Sequence, residues 1–239
     1  MKKTIGWKSS LLLTLIGLFF LFLGYSQVRN TVTPQDQYYI NKILEENYVA
    51  PYKNDGNYFH QINFIQAAQY AVLGTTPIEE ALPLSHTREP QDLYLAHRGR
   101  CYDRSRTLEK ILRMSGFKIR HVSLYALENH SKLKTLLTPN VRSHALTEVL
   151  TEKGWLAVDP NKPWISIDQA GNPISLHQMQ QDASTSTVIW NKDLEHYMNG
   201  IYKVPFIYVY GLYSRTGKMY PPYLSLWPNI NWKEFLYNF

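Results

Sequence analysis

The sequence predicts an α+β domain. Helical periodicity fills its first half, period-two segments fill its middle, and a lone cysteine opens the last helix before the strands. A doubly wound α/β fold would alternate the two textures along the chain, and they do not alternate here. The 239 residues suffice for one ordinary domain with an appendage and are too few for two large ones. With 44% hydrophobic and 18% charged residues the chain can bury a core, which excludes a disordered polymer.

The appendage comes first. Lys2, Lys3 and Lys8 precede an uncharged run over residues 11–24, LLLTLIGLFFLFLG. A basic start followed by an apolar run is an export or anchoring signal. Its length is at the lower border of the ~17–25 residues that span a bilayer. Leu and Phe dominate the run, and Leu23-Gly24-Tyr25-Ser26 is a poor cleavage site, so an uncleaved signal anchor is favoured over a cleaved peptide. Three lysines before the run against Arg29 after it place the start of the chain in the cytoplasm. The expectation is a single transmembrane anchor over residues 1–27 in the cytoplasmic (inner) membrane. Residues 28–239 then form one domain on the periplasmic or extracytoplasmic side.

Three helices follow. Residues 36–48 carry Tyr39, Ile40, Ile43 and Leu44 on one face, with Asp36 at the start. Residues 58–73 form the second, closed by Gly74, and a loop marked by Pro77, Pro83 and Pro90 comes next. Residues 101–115 form the third, with Leu108, Ile111 and Leu112 inward and Gly116 at its C′ position. Residues 117–125, 143–150 and 154–158 then read as strands. Residues 197–239 hold 13 aromatics, among them Tyr208, Tyr210, Tyr213, Tyr220, Tyr223, Trp227 and Trp232, read as strand core and a proline-fixed wrap.

Composition narrows the chemistry. The net charge of +6 owes half its size to the three early lysines, so no nucleic-acid footprint remains. One cysteine permits no internal disulfide and no zinc site with two Cys ligands. The histidines show no metal-ligand spacing, and no GxSxG, GxGxxG or phosphate-loop motif is present, so no metal and no cofactor is expected.

Cys101 sits at Gly99-Arg100-Cys101, where the third helix begins. A helix N-terminus favours thiolate over thiol, and Arg98, Arg100 and Arg104 add positive potential. By itself a free cysteine is most often a small buried hydrophobe. The strands downstream change the balance. If Glu152 and Lys153 form a two-residue hairpin loop, Thr151 faces Gly154 and Asp159 faces Leu146. His144 is then the diagonal same-face neighbour of Asp159. A three-residue loop would put the two on opposite faces. Thiolate, imidazole and orienting carboxylate make a nucleophilic triad recognised by role.

The segments GRCYDRSRTLEKILRMSGFKIRHVSLY, SHALTEV and GWLAVDPN resemble the core of the transglutaminase-like superfamily, related to papain-like cysteine enzymes. The resemblance covers about residues 95–165. It implies a nucleophile helix packed on an antiparallel sheet, with Cys101 as nucleophile, His144 as general base and acid, and Asp159 as orienting carboxylate. Trp155 and Pro160 match framework positions, and Arg120 matches an Arg whose plain reading is a structural ion pair. Two positions depart from the family: Leu146 stands where a Trp is common, and Tyr102, Asp103 and Arg104 are bulkier or more charged than usual. The resemblance implies a membrane-anchored bacterial cysteine enzyme acting on an amide by hydrolysis or acyl transfer. Its substrate would be a peptide, protein or envelope polymer. The alternatives are a non-catalytic module that binds envelope glycan or protein partners, and a glycan-binding role for the aromatic C-terminal part. One oxyanion donor is expected from the Cys101 N–H. A second is not assigned, the nearest upstream glutamine being Gln91.

Overall fold

Local signals set the helical half. Thr33 accepts the Asp36 N–H at 3.1 Å, and the Asp36 carboxylate accepts the Thr33 N–H at 2.8 Å. This reciprocal cap, with Pro34 at the first helical position, starts α2 (Pro34–Glu46) two residues before the expected point. The computed structural model describes residues 7–83, 86–128, 130–138, 141–181, 188–189, 200–213 and 229–239, without the side chains of residues 8 and 9. Lys2, Lys3, Tyr220, Tyr223 and Trp227 lie outside the described residues.

Ahead of α2, α1 (Trp7–Ser26) is a 20-residue helix whose Leu11, Leu12, Leu13, Phe19, Phe20 and Leu21 are all exposed. Among the described residues, no helix is long and apolar enough to cross a membrane. The expected spanning helix is therefore unsupported. The apolar side chains of residues 11–23 fall about two turns short of the ~20 residues a spanning helix needs.

Asn57 caps α3 (Tyr58–Thr75), its side chain accepting from the N–H groups of Phe59 and His60. Gly74 does not end this helix, as the sequence suggested, but lies within it. Its missing Cβ makes room for Asn47 at the end of α2. The proline-marked loop holds a short helix that the sequence reading missed, α4 (Pro90–Ala96), with Pro90 at the first turn and Asp92 in it. α5 (Cys101–Met114) follows and ends as expected, Gly116 taking φ +87 where a side chain would be strained.

The strands β1 (Lys118–Ala126), β2 (Ser143–Thr151), β3 (Gly154–Val158) and β4 (Phe206–Tyr210) form an antiparallel sheet in the order β3-β2-β1-β4. A helical turn, α6 (Lys132–Leu137), bridges β1 and β2, and α7 (Leu176–Gln181) packs against the sheet, its Leu176 N–H on Glu148 of β2 and its Gln180 on the Phe206 carbonyl of β4. Two short strands, β5 (Leu212–Tyr213) and β6 (Asn229–Ile230), pair near β4, and a turn over Trp232–Phe235 follows. One apolar core joins Ile40 and Ile43 of α2, Ile65 and Val72 of α3, Leu108, Ile111 and Leu112 of α5, and Val149 and Leu156 of the sheet. A second core, including Val122, Leu146, Trp164 and Leu176, also packs on the sheet. Each fully buried Leu or Ile contributes roughly 1.5–3 kcal/mol. The architecture is α+β, with α5 packed on the sheet.

Candidate active site

Gly99 lets the chain enter α5 tightly: a Cβ there would approach Leu93 at 3.0 Å and Asp103 at 3.2 Å. Asp103 Oδ2 accepts the Arg100 N–H at 3.0 Å and the Leu82 N–H at 3.2 Å, and Arg88 pairs with Asp103 at 3.2 Å. Burial pushes the Asp103 carboxyl up, against these hydrogen bonds and charges. Arg104 donates to Thr76 O at 2.7 Å and to Asn161 Oδ1 at 2.9 Å. The bulky first-turn residues that depart from the family pattern are thus buried braces. They fix the helix start and tie it to the loop after β3.

Cys101 heads α5, half-buried. The β2–β3 hairpin has the two-residue loop on which the pairing argument depended, with Thr151 opposite Gly154 and Thr147 opposite Val158. His144 and Asp159 meet, His144 Nε2 lying 3.0 Å from Asp159 Oδ2, and both are buried. The Cys101 side chain lies close enough to the imidazole to help raise its pKa. With Nε2 on Asp159, Nδ1 is the nitrogen left for the thiol. The structure thus brings the three predicted residues together.

The carboxylate is held on every side. Asp159 Oδ1 accepts the N–H groups of Asn161 at 2.7 Å and Lys162 at 3.0 Å, a turn in which the side chain caps its own loop. Oδ2 is left for His144 and for the Tyr202 hydroxyl, which donates at 2.7 Å. Gln69 of α3 donates to the carbonyls of Asp159, Lys162 and Trp164 at 2.7, 3.0 and 2.8 Å, pinning the same loop from below. The Tyr202 ring stands edge-on to the imidazole, 6.0 Å away at 89°, and packs on Trp164 at 4.8 Å.

Burial opposes charge on both partners, yet each charge outweighs it for the other. Burial lowers the His144 pKa, but the Asp159 charge and hydrogen bond, with a further contribution from Cys101, raise it to about 10. Burial raises the Asp159 pKa, but His144, Tyr202 and the Asn161 N–H hold it below the ordinary carboxylate value. Near neutral pH the site holds an imidazolium against a carboxylate.

Sequence reasoning did not find Tyr202, Gln69 or Asn161. Tyr202 and Gln69 come from elements distant in the chain and belong to no motif. Asn161 follows Asp159-Pro160, and the Asx turn it completes was a readable signal. Gln91 pairs with Gln35 and lines a polar cavity of about 420 Å³ with Thr33 and Asp36, so it is not an oxyanion donor to Cys101. Arg120 is a structural ion pair, as read: it meets Glu148 at 2.8 Å between the rings of Trp155 and Tyr210. Leu146 is fully buried in the second core, and the ring edge on the imidazole belongs to Tyr202. Among the described residues, no three His, Cys, Asp or Glu side chains are grouped to hold a metal ion.

Comparison with known proteins fits this geometry. Residues 53–160 match the family model described as the transglutaminase-like superfamily. No curated protein matches the chain. Among solved structures, an arylamine N-acetyltransferase from Salmonella typhimurium is similar at 18% identity with a TM-score of 0.33. That match covers 54% of this chain and 45% of the other, so the chain spans less than half the length of that structure. Cys101, His144 and Asp159 all lie within the segment that matches the family model.

Proposed function

We propose that this chain is a membrane-tethered cysteine enzyme that opens an amide bond through an acyl-thioester on Cys101. The observation that carries the reading is an imidazole held 3.0 Å from a buried carboxylate at the start of the helix that Cys101 heads, near enough for the sulfur to help raise the imidazole's pKa. In this reading the Cys101 sulfur attacks the amide carbonyl carbon as a thiolate beside the imidazolium, and the carbonyl π pair moves onto oxygen. The N–H of Cys101 belongs to the first turn of α5, where no intrahelical acceptor exists, and supports that oxyanion. Collapse breaks the C–N bond as the imidazolium gives its proton to the leaving amine. Neutral His144 then takes a proton from water or from an acceptor amine. That nucleophile attacks the thioester and breaks its C–S bond, returning the thiolate. Asp159, with Tyr202 behind it, keeps Nε2 bonded and leaves Nδ1 for the sulfur.

The exposed Leu and Phe side chains of α1, behind the early lysines, support the tether. In this reading residues 28–239 face the extracytoplasmic side and act on a peptide, protein or envelope polymer.

A reactive acyl donor tests the chemistry without knowledge of the substrate. Incubation with p-nitrophenyl acetate should place one acetyl group on Cys101, seen by intact mass and peptide mapping and removed by neutral hydroxylamine. Cys101→Ser should carry none, and His144→Ala should acylate far more slowly. Acetylation of Cys101 that is indifferent to His144→Ala would sink the proposal.

A further inference from the structure

The last described segment, residues 229–239, does not pack only on the sheet: it is pinned to the end of α1. Val28 N–H donates to Ile230 O at 2.8 Å, and the Asn231 side chain donates to Val28 O at 3.1 Å. The Trp232 indole N–H lies 3.1 Å from Leu23 O and 3.2 Å from Ser26 Oγ, and its ring meets Phe22 edge-on at 6.1 Å. Trp232 in turn contacts Phe235, and Phe235 contacts Phe239. From this base the segment turns large apolar side chains to the outside. Leu236 is 69% exposed and Phe239 95%, and Tyr25 at the end of α1 is 72% exposed. Exposed Arg29 follows Tyr25 in the chain, and exposed Lys233 lies within the segment.

We infer that residues 232–239, with Tyr25, form an interfacial foot that seats the domain on the same bilayer that receives α1. The inference rests on the tethered reading above. Three observations carry it. The foot continues the exposed apolar surface of α1 and is fastened to it by named hydrogen bonds. Its composition of Trp, Tyr, Phe and Leu is that of side chains that settle at the headgroup boundary. The two cations suit anionic lipid headgroups. A tether alone would let the domain swing on residues 27–33. A tether with a fastened foot fixes one orientation and holds Cys101 at a set height and angle to the membrane.

The experiment uses the full chain in vesicles of phosphatidylcholine and phosphatidylglycerol. Cys101→Ser removes the only thiol, and Leu236→Cys then takes an environment-sensitive nitrobenzoxadiazole dye. Phe239→Cys gives an independent second position, and Tyr48→Cys, at a side chain 97% exposed, serves as the reference. Melting curves check that each labelled variant keeps the fold. The expected result is co-flotation with vesicles, a blue shift at 236 and 239, and quenching there by lipid nitroxides placed near the headgroup, with neither effect at 48. Flotation with dyes at 236 and 239 as unquenched as at 48 overturns the foot and leaves the tether standing. Equal quenching at all three positions also overturns it, because the domain would then lie on the bilayer without a preferred face. Shielding from aqueous iodide at 236 without lipid quenching identifies a protein partner instead. Absence of flotation overturns tether and foot together.

Discussion

Among the described residues are two buried histidine–carboxylate pairs on neighbouring strands, and the proposed chemistry uses only one of them. His144 of β2 pairs with Asp159 at 3.0 Å, and His121 of β1 pairs with Glu109 at 2.5 Å. Each carboxylate also accepts a tyrosine hydroxyl, from Tyr202 at 2.7 Å and from Tyr213 at 3.0 Å. The difference lies around the rest of the ring. In His144 the ring has the Cys101 side chain near it. In His121, Nε2 has no hydrogen-bond partner among the described residues, and Tyr213 stacks flat on the ring at 3.9 Å. The His121 pair is enclosed by Arg106, Arg113 and Glu234, a charge cluster that cross-braces α5, β1 and the closing segment. In the proposed reading the same pairing chemistry serves as an acid–base device beside Cys101 and as a brace at His121.

The largest expected effect separates the two pairs by rate. His144→Ala and Asp159→Asn should slow acylation of Cys101 by about 10²–10⁴-fold, the range that a positioned acid–base group supplies. His121→Gln should leave that rate within a small factor of the wild type. Matching losses at His121 and His144 would erase the distinction.

Stability should separate the brace from the nucleophile. Glu109 is a buried carboxylate near Arg106 and Arg113, and removing it leaves buried positive charge without compensation, at a cost of about 3–5 kcal/mol. Glu109→Ala should therefore lower the urea midpoint strongly, whereas Cys101→Ser should move it little. A Glu109→Ala protein as stable as the wild type would show that the second cluster is not a brace.

The pH dependence sharpens the first pair. The folded pKa of His144, about 10, lies above the ~6.5 of an unfolded histidine. The stabilisation from its proton is complete below that lower value and is lost as pH rises through about 10. Asp159, held below its ordinary value, adds stability above the unfolded carboxylate range, lost as pH falls through its lowered pKa. The wild-type melting temperature should therefore drop more between pH 7 and 10 than that of His144→Gln. Parallel profiles would mean that His144 is already neutral in the folded protein.

The smallest effect tests the tyrosine. Tyr202→Phe removes one hydrogen bond to Asp159 Oδ2 and keeps the ring, at an expected cost of about 1 kcal/mol. If Tyr202 acts by holding the carboxylate, the variant should acylate more slowly and shift its pH–rate profile. An unchanged profile would restrict the tyrosine to packing.

Much of this was legible because it is local. The helix over residues 101–114 shows its inward Leu108, Ile111 and Leu112 in the period of the sequence. The hairpin loop Glu152-Lys153 sets a register that carries His144 to Asp159 by arithmetic alone. The errors were local signals read without their neighbours. Gly74 looked like a stop until Asn47 was seen to need its space, and Pro90 looked like loop until it proved to start α4. The apolar run was read as a span, but periodicity reports a helix and its hydrophobicity without deciding how it is used.

From the sequence alone came the α+β class, the strand pairing of the hairpin, and three residues whose types and spacing make a triad. The tertiary structure decided what surrounds them. Tyr202 reaches Asp159 from 43 positions away and Gln69 from 90, distances along the chain over which no periodicity carries information. The structure also decided which of two histidines lies near a thiol. Both stand in strands beside a carboxylate, and which carboxylate is near, and what fills the other side of the ring, depends on how α5 crosses the sheet. That crossing is fixed by packing between distant apolar surfaces, which is why it appears only in the folded chain.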